Sequence, residues 1–263
     1  MVISVVDDGV QVDHPDLSRH YLPEASWDFN RNVSDPSPQS ADDAHGTRCA
    51  GTALAGANEY CGVGVAHNAS LAAIRLLGED ANDVQEALAL SHRLDLVDMY
   101  SCSWGPSDDG RTVEGPSLLT NATLAFGTRQ GRGGKGALYI YASGNGGGED
   151  GCNFDGYANS PFTITTGALT HDGTFAPYQE ICSAQLVTMY SGGRGQYVQT
   201  SSSNLTCSSP PCCYSTFGGT SAAAPMLAGT LALLLQVRYD FSFFSTQMIV
   251  TEHKAPQTRL ELA

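Results

Sequence analysis

Positive charge is scarce in this chain: 13 Lys and Arg stand against 27 Asp and Glu, a formal net charge of −14. Such a surface repels phosphate, which excludes nucleic acid as a partner, and its field favours cationic ligands. Long apolar runs are also lacking. The longest, Pro225 to Val237, has 13 residues, too short to cross a bilayer, so it reads as a buried helix and no membrane segment is expected. There is no pair of C-x-x-C motifs and no H-E-x-x-H, which argues against a zinc site. Met1 stands directly before the first apolar segment, with no basic region, apolar core or cleavage site; a targeting segment is therefore expected outside this sequence.

What is present suits a globular enzyme. The chain has 263 residues, 41% of them hydrophobic, and no composition break divides it, so residues 1–263 read as a single domain. Strand-like segments such as VISVV (2–6) and ALYIYAS (137–143) alternate with helix-like ones such as NDVQEALALSHRL (82–94). That alternation predicts an α/β fold with a mostly parallel sheet covered by helices. Eight cysteines accompany Asn-x-Ser/Thr sequons at Asn32, Asn68, Asn121 and Asn204. Together they point to an oxidising, secretory compartment.

Three short blocks carry chemistry: VVDDGV (5–10), HGTRCAG (45–51) and GGTSAAAP (218–225). Taken singly, each has a bland reading as a turn acid, a structural histidine or a glycine-rich loop. Taken together they supply the acid, base and nucleophile that serine catalysis needs. The order Asp, His, Ser, with the longer blocks SCSWGPSDDGRTVEGP (101–116), GRGGKGALYIYASGNGG (131–147) and NFDGYANS (153–160), resembles the subtilisin superfamily and, within it, the kexin and furin branch of proprotein convertases. The resemblance covers about residues 2–237. It implies a subtilisin-like three-layer α/β/α fold with Asp7 as triad acid, His45 as general base and Ser221 as nucleophile. The residues agree: Ser221 precedes an apolar segment, where a helix N-terminus favours a developing oxyanion. Asn145, in SGNGG after an apolar strand, reads as the oxyanion donor, assisted by the Ser221 amide.

The surplus acids acquire a purpose through the same resemblance. Asp108 and Asp155 match the family's S1 site for arginine, Asp8 and Asp42 its S2 site, and Glu86, Glu114 and Tyr157 its S4 site. Ser103, Trp104 and Gly105 would pair with an extended peptide. The implied reaction is endoproteolysis of precursor proteins after Lys/Arg-Arg in the secretory pathway lumen or outside the cell. A broad-specificity subtilisin and a non-catalytic module that binds basic peptides are the alternatives. Because successive side chains of an extended segment point to opposite sides, Asp7 is expected to turn inward to His45 while Asp8 faces the cleft.

The implied cofactor is Ca2+, held by loop carboxylates and carbonyls. Asp16, Asn58 and the Gly62 carbonyl resemble one family site, and Asp108, Asp150 and Glu180 a second. Asp28 and Asp35 suggest a third, but Ser37 stands where the family has a carboxylate. For the cysteines the resemblance pairs Cys61 with Cys213 and Cys152 with Cys182. It leaves Cys49 as a free thiol beside the active site and Cys207 to Cys212 as a candidate short loop, with Cys102 over. An inhibitory propeptide and a P domain are expected in the full-length protein, and residues 238–263 depart from the family pattern.

Overall fold

The computed structural model describes residues 1–252. A seven-stranded sheet is built from β1 (Val2–Asp7), β2 (Trp27–Asp28), β3 (Ser70–Arg75), β4 (Met99–Cys102), β5 (Leu138–Ala142), β6 (Ile164–Leu169) and β7 (Gln185–Tyr190). Its spatial order is β2-β3-β1-β4-β5-β6-β7, and every neighbouring pair is parallel. Central strands of a parallel sheet are covered on both faces, which is why β1, β4 and β5 are buried almost continuously and not at alternate residues. Alternate residues of β1 serve opposite faces: Ile3 and Val5 join one apolar cluster and Val6 the other.

Helices α1 (His45–Leu54) and α4 (Thr220–Val237) cover the first face, α2 (Asp83–Ala89) and α3 (Leu118–Gly134) the second. This is the expected three-layer α/β/α arrangement. The helix read from the 82–94 segment ends early, at Ala89, after a capping box in which Asn82 accepts from Val84 and Gln85 and Gln85 answers the Asn82 amide. α4 is longer than the apolar run that announced it. At 18 residues it is long and apolar enough to cross a membrane, yet 61% of it is buried within the fold, so it is a core helix. Its small residues let it lie close to its neighbours: a Cβ at Gly229 would stand 2.7 Å from the Val65 Cβ.

An antiparallel pair, β8 (Val198–Ser201) with β9 (Cys213–Phe217), leads into α4, and α5 (Phe243–Glu252) follows it. The departure expected over 238–263 lies in part outside the described residues. Within them, α5 packs Phe243, fully buried, into the first-face core. The carboxyl ends of β1, β4 and β5 and the amino ends of α1 and α4 meet at one edge of the sheet, the usual place for a site in an open parallel sheet.

Candidate active site

Asp7 is the last residue of β1 and is 1% exposed. Its two carboxylate oxygens lie 2.9 and 3.0 Å from His45 Nδ1, at the first turn of α1. Burial disfavours the charged imidazole, but the Asp7 carboxylate outweighs it and, with a smaller contribution from Cys49, holds His45 well above its ordinary pKa. Asp8, the first residue after β1, also reaches α1, where its expected cleft-facing side is taken up by main-chain amides. Its carboxylate also serves the backbone, accepting the amides of His45 at 3.0 Å and Gly46 at 2.7 Å. It therefore caps the helix that presents the histidine, a favourable place for an anion. Burial, then the charge of Asp7, push its pKa up to about 7 against the pull of those amides. Gly46 has to be glycine, since a Cβ there would stand 2.4 Å from the Gly9 carbonyl.

Ser221 sits in the first turn of α4, reached through Gly219 at φ 76°. Among the described residues its hydroxyl has one partner, the Ser103 carbonyl at 3.5 Å. The Cys49 thiol lies 3.8 Å from His45 Nδ1 and 3.6 Å from the Ser221 carbonyl, so it spans the base and the serine from beneath. Asn145 is exposed in the turn after β5. Thr220 donates to its side-chain oxygen through both its amide, at 2.8 Å, and its hydroxyl, at 3.1 Å. Those donors fix which way the carboxamide faces. The oxygen is held by α4 and the NH2 group is left to donate, the arrangement an oxyanion requires.

Two openings adjoin one another at Trp104, Gly105 and Pro106. The smaller, about 230 Å³, is lined by Ser103, Asp108, Asn145, Asp155 and Ser221, among others. One oxygen of Asp155 accepts the amides of Tyr157 and Ala158 at 2.7 and 3.1 Å. The other faces Gly105, where a Cβ would come within 2.6 Å of it. Burial, reinforced by Asp108 and Asp150, raises Asp155 to a pKa of about 6. The larger opening, about 680 Å³, is bounded by Glu86, Glu114 and Tyr157 together with Glu79 and Asp80. The Tyr157 hydroxyl donates to Glu86 at 2.7 Å, and burial raises the pKa of that glutamate. Past the end of β4 the chain runs through Ser103–Gly105 with no paired strand among the described residues. Asp42 is exposed three residues before His45, whereas its neighbour Asp43 is buried against Arg75 at 2.9 Å.

The acids read as cation ligands fall into different cases. Asp108, Asp150 and Glu180 bring one oxygen each within 4.8 Å of one another, and no Lys, Arg or His pairs with any of them among the described residues. Burial, then the charges of Asp108 and Asp150, raise Glu180 to a pKa of about 7. An all-oxygen, uncompensated anionic cluster fits a hard cation such as Ca2+. Asp16 is 1% exposed. One of its oxygens accepts Ser201 Oγ at 2.7 Å and the Cys61 amide at 3.3 Å, while the other is buried with no partner. That orphan oxygen fits a ligand role as well. Asn58 spends its own side-chain oxygen on the Tyr60 amide at 2.8 Å, and Gly62, at φ 152°, lies one residue beyond Cys61. The third set does not fit: both Asp28 oxygens are taken, by the amides of Asn30 and Arg31 and by the guanidinium groups of Arg31 at 2.7 Å and Arg75 at 3.4 Å. A guanidinium stands where a metal would.

Cys61 pairs with Cys213, Cys152 with Cys182 and Cys207 with Cys212, and Cys49 and Cys102 are free and buried. Burial raises the pKa of both thiols, Cys102 to beyond any ordinary titration. Sequence reasoning missed Glu79, Asp80 and the helix-capping role of Asp8. The acid pair in GED (78–80), a few residues past the end of β3, is the signal that could have found the first two.

With this geometry in place, the comparisons with known proteins fall on one family. The chain belongs to the subtilase family, whose model matches residues 1–257. It is 46% identical over 251 residues to the kexin of Saccharomyces cerevisiae, covering 95% of this chain and 30% of that protein. It is 43% identical over 257 residues to a dibasic-processing endoprotease of Schizosaccharomyces pombe (97% and 35%) and 45% identical over 262 residues to furin-like protease 2 of Drosophila melanogaster (97% and 16%). The chain thus spans about a third or less of these relatives. Among solved structures, a serine protease of Aeromonas sobria superposes with a TM-score of 0.82 at 23% identity, covering 95% of this chain and 49% of that one. A cold-adapted subtilisin-like serine proteinase superposes at 0.72 and 19%, covering 98% and 85%. Both share the fold.

Proposed function

We propose that this chain is the catalytic domain of a serine endopeptidase that cleaves precursor proteins after paired basic residues. The observation that carries the reading is the placement of Ser221 at the mouth of a pocket walled by Asp108 and Asp155, with His45 held on both oxygens of a buried Asp7. A guanidinium in that pocket meets carboxylates in a shielded setting, where water competes poorly. The Lys or Arg before it reaches Asp8 and Asp42, and a further basic side chain reaches the larger opening with Glu86 and Glu114.

In the acylation step Ser221 Oγ rotates away from the Ser103 carbonyl and attacks the carbonyl carbon of the peptide bond after the arginine. His45 takes the hydroxyl proton on its free ring nitrogen, while Asp7 stabilises the imidazolium and fixes its tautomer. The Asn145 NH2 and the Ser221 amide donate to the oxyanion. As the intermediate collapses the C–N bond breaks, and the leaving amine takes the proton from His45. Water, deprotonated by the same histidine, then attacks the acyl carbon and releases Ser221.

Asp108, Asp150 and Glu180 would hold Ca2+, as would Asp16 with Asn58 and the Gly62 carbonyl. The cation would neutralise the acids beside the pocket. Three disulfides and the sequons support a secretory or extracellular location. An inhibitory propeptide and a P domain are expected in the full-length protein. The test is a fluorogenic Arg-x-Lys-Arg peptide beside its Arg-x-Lys-Leu counterpart. Cleavage of the first only, lost in Ser221→Ala, is expected; equal cleavage of both would point to a broad-specificity subtilase, and none of either would overturn the reading.

A further inference from the structure

α4 contains Pro225, four residues after Ser221. In an α-helix the amide of residue i+4 donates to the carbonyl of residue i, and proline has no N–H to give. The Ser221 carbonyl therefore lacks its i+4 amide partner at the start of a helix that runs on to Val237. It is not left bare. Ser103 Oγ donates to it at 3.1 Å and the Cys49 thiol approaches it at 3.6 Å. Ser103 is 7% exposed and Cys49 is fully buried, so solvent has little access to this contact. The contact is also reciprocal, since the Ser221 hydroxyl reaches the Ser103 carbonyl at 3.5 Å.

We infer that the Ser103 side chain is a positioning residue for Ser221, acting through the carbonyl that Pro225 leaves open. The inference rests on the reading of Ser221 as the nucleophile. Ser103 follows directly on β4, a fully buried central strand, so its hydroxyl is anchored to the most rigid part of the sheet. Its hydrogen bond fixes the peptide plane after Ser221 and ties the first turn of α4 to that strand. With the backbone held, the motion left to Oγ is rotation between the Ser103 carbonyl and His45. A misplacement of the nucleophile by a fraction of an ångström is costly, because attack requires near-contact geometry. The proline and the serine thus form one device: the first removes the competing amide, the second supplies a donor fixed to another element.

The test combines steady-state cleavage of the Arg-x-Lys-Arg peptide with the rate at which a small fluorophosphonate labels Ser221, since that probe does not depend on the basic pockets. Ser103→Ala should lower kcat and the labelling rate about tenfold with KM within twofold, because the backbone of residue 103 that faces substrate is kept. Ser103→Thr, which keeps the hydroxyl, should retain most of both rates. Pro225→Ala restores an amide at the i+4 position, so in that background Ser103→Ala should cost less than about threefold. Ser103→Ala at wild-type rates, a Ser103→Thr variant as slow as Ser103→Ala, or an equal loss in both backgrounds would each overturn the inference. Wild-type protein that cleaves no peptide and takes no label would instead overturn the serine-nucleophile reading, and this inference with it.

Discussion

Replacing Glu180 by Gln should remove a pH-dependent weakness that calcium otherwise relieves. Glu180 is 2% exposed and faces Asp108 and Asp150 without a basic partner among the described residues. Burial, then those two charges, raise its pKa from 4.5 to about 7. An acid whose folded pKa lies above its unfolded value binds more protons when folded, so stability falls as pH rises from about 4.5 to about 7. At about 1.4 kcal/mol per unit the full shift corresponds to ~3 kcal/mol, and solvent around the exposed Asp108 reduces this to about 2 kcal/mol. For a chain of this size that is roughly 4–8 °C in Tm. Glu180→Gln keeps an oxygen for the Gly146 amide, which now donates to Glu180 at 3.0 Å, and deletes only the charge. Thermal unfolding followed by circular dichroism in chelator, near pH 5 and near pH 8, should show the wild type losing about 4–8 °C more than the variant. Excess Ca2+ at the higher pH should then raise the wild type more than the variant. Parallel Tm–pH curves for the two proteins, or equal gains from Ca2+, would refute both the electrostatic account of the cluster and the assignment of the cation.

Other outcomes follow from the same geometry. The ascending limb of kcat/KM against pH should lie above 6.5, because Asp7 raises the His45 pKa and the base must be neutral to act. Asp7→Asn should move that limb down and slow turnover by several orders of magnitude, which a pH–rate profile of both proteins checks. Asp8→Asn should relax the preference for Lys or Arg before the arginine, and in the wild type that preference should sharpen as pH rises through about 7, where Asp8 ionises; paired-peptide competition at two pH values reads both. Asn145→Ala should lower kcat about 100- to 1,000-fold with KM little changed, the loss seen for an oxyanion donor in subtilisin itself. Gly105→Ala should weaken cleavage after arginine by placing a methyl group about 2.6 Å from the Asp155 oxygen, measurable as a rise in KM.

The layers of the fold were legible because they rest on local regularities: apolar runs of strand length, helical runs between them, and glycines at the strand ends. The blocks that hold Asp7, His45 and Ser221 were legible for another reason, since they resemble the motifs of the subtilisin superfamily, and the fold then brings Asp7 against His45. Division of labour between neighbouring acids was only half legible. Alternation along an extended segment predicts different sides for Asp7 and Asp8, but that both meet the start of α1, Asp8 as its cap, depends on a helix 37 residues away. Asp42 and Asp43 look alike in sequence, and only the position of Arg75 at the end of β3 decides which is buried. Asp28 illustrates the same limit, because the arginines that occupy its oxygens include one brought in by strand pairing. Pro225 was visible throughout, while the meaning of its spacing from Ser221 emerged only when Ser103 was found to occupy the vacated carbonyl.

Asp108 connects matters that are usually treated separately. Its carboxylate walls the pocket next to Ser221, offers an oxygen to the cluster with Asp150 and Glu180, and accepts the backbone amide of Asn145 at 2.9 Å. Two cations, one from a substrate side chain and one from solution, would therefore draw on the field of a single anion from which the Asn145 backbone also hangs. Thermodynamic reciprocity then requires that whatever binding on one side does to affinity on the other is returned in equal measure. On the proposed reading, substrate arginine would become a reporter of calcium, and calcium a tuning parameter for arginine, through a side chain that neither of them could have to itself.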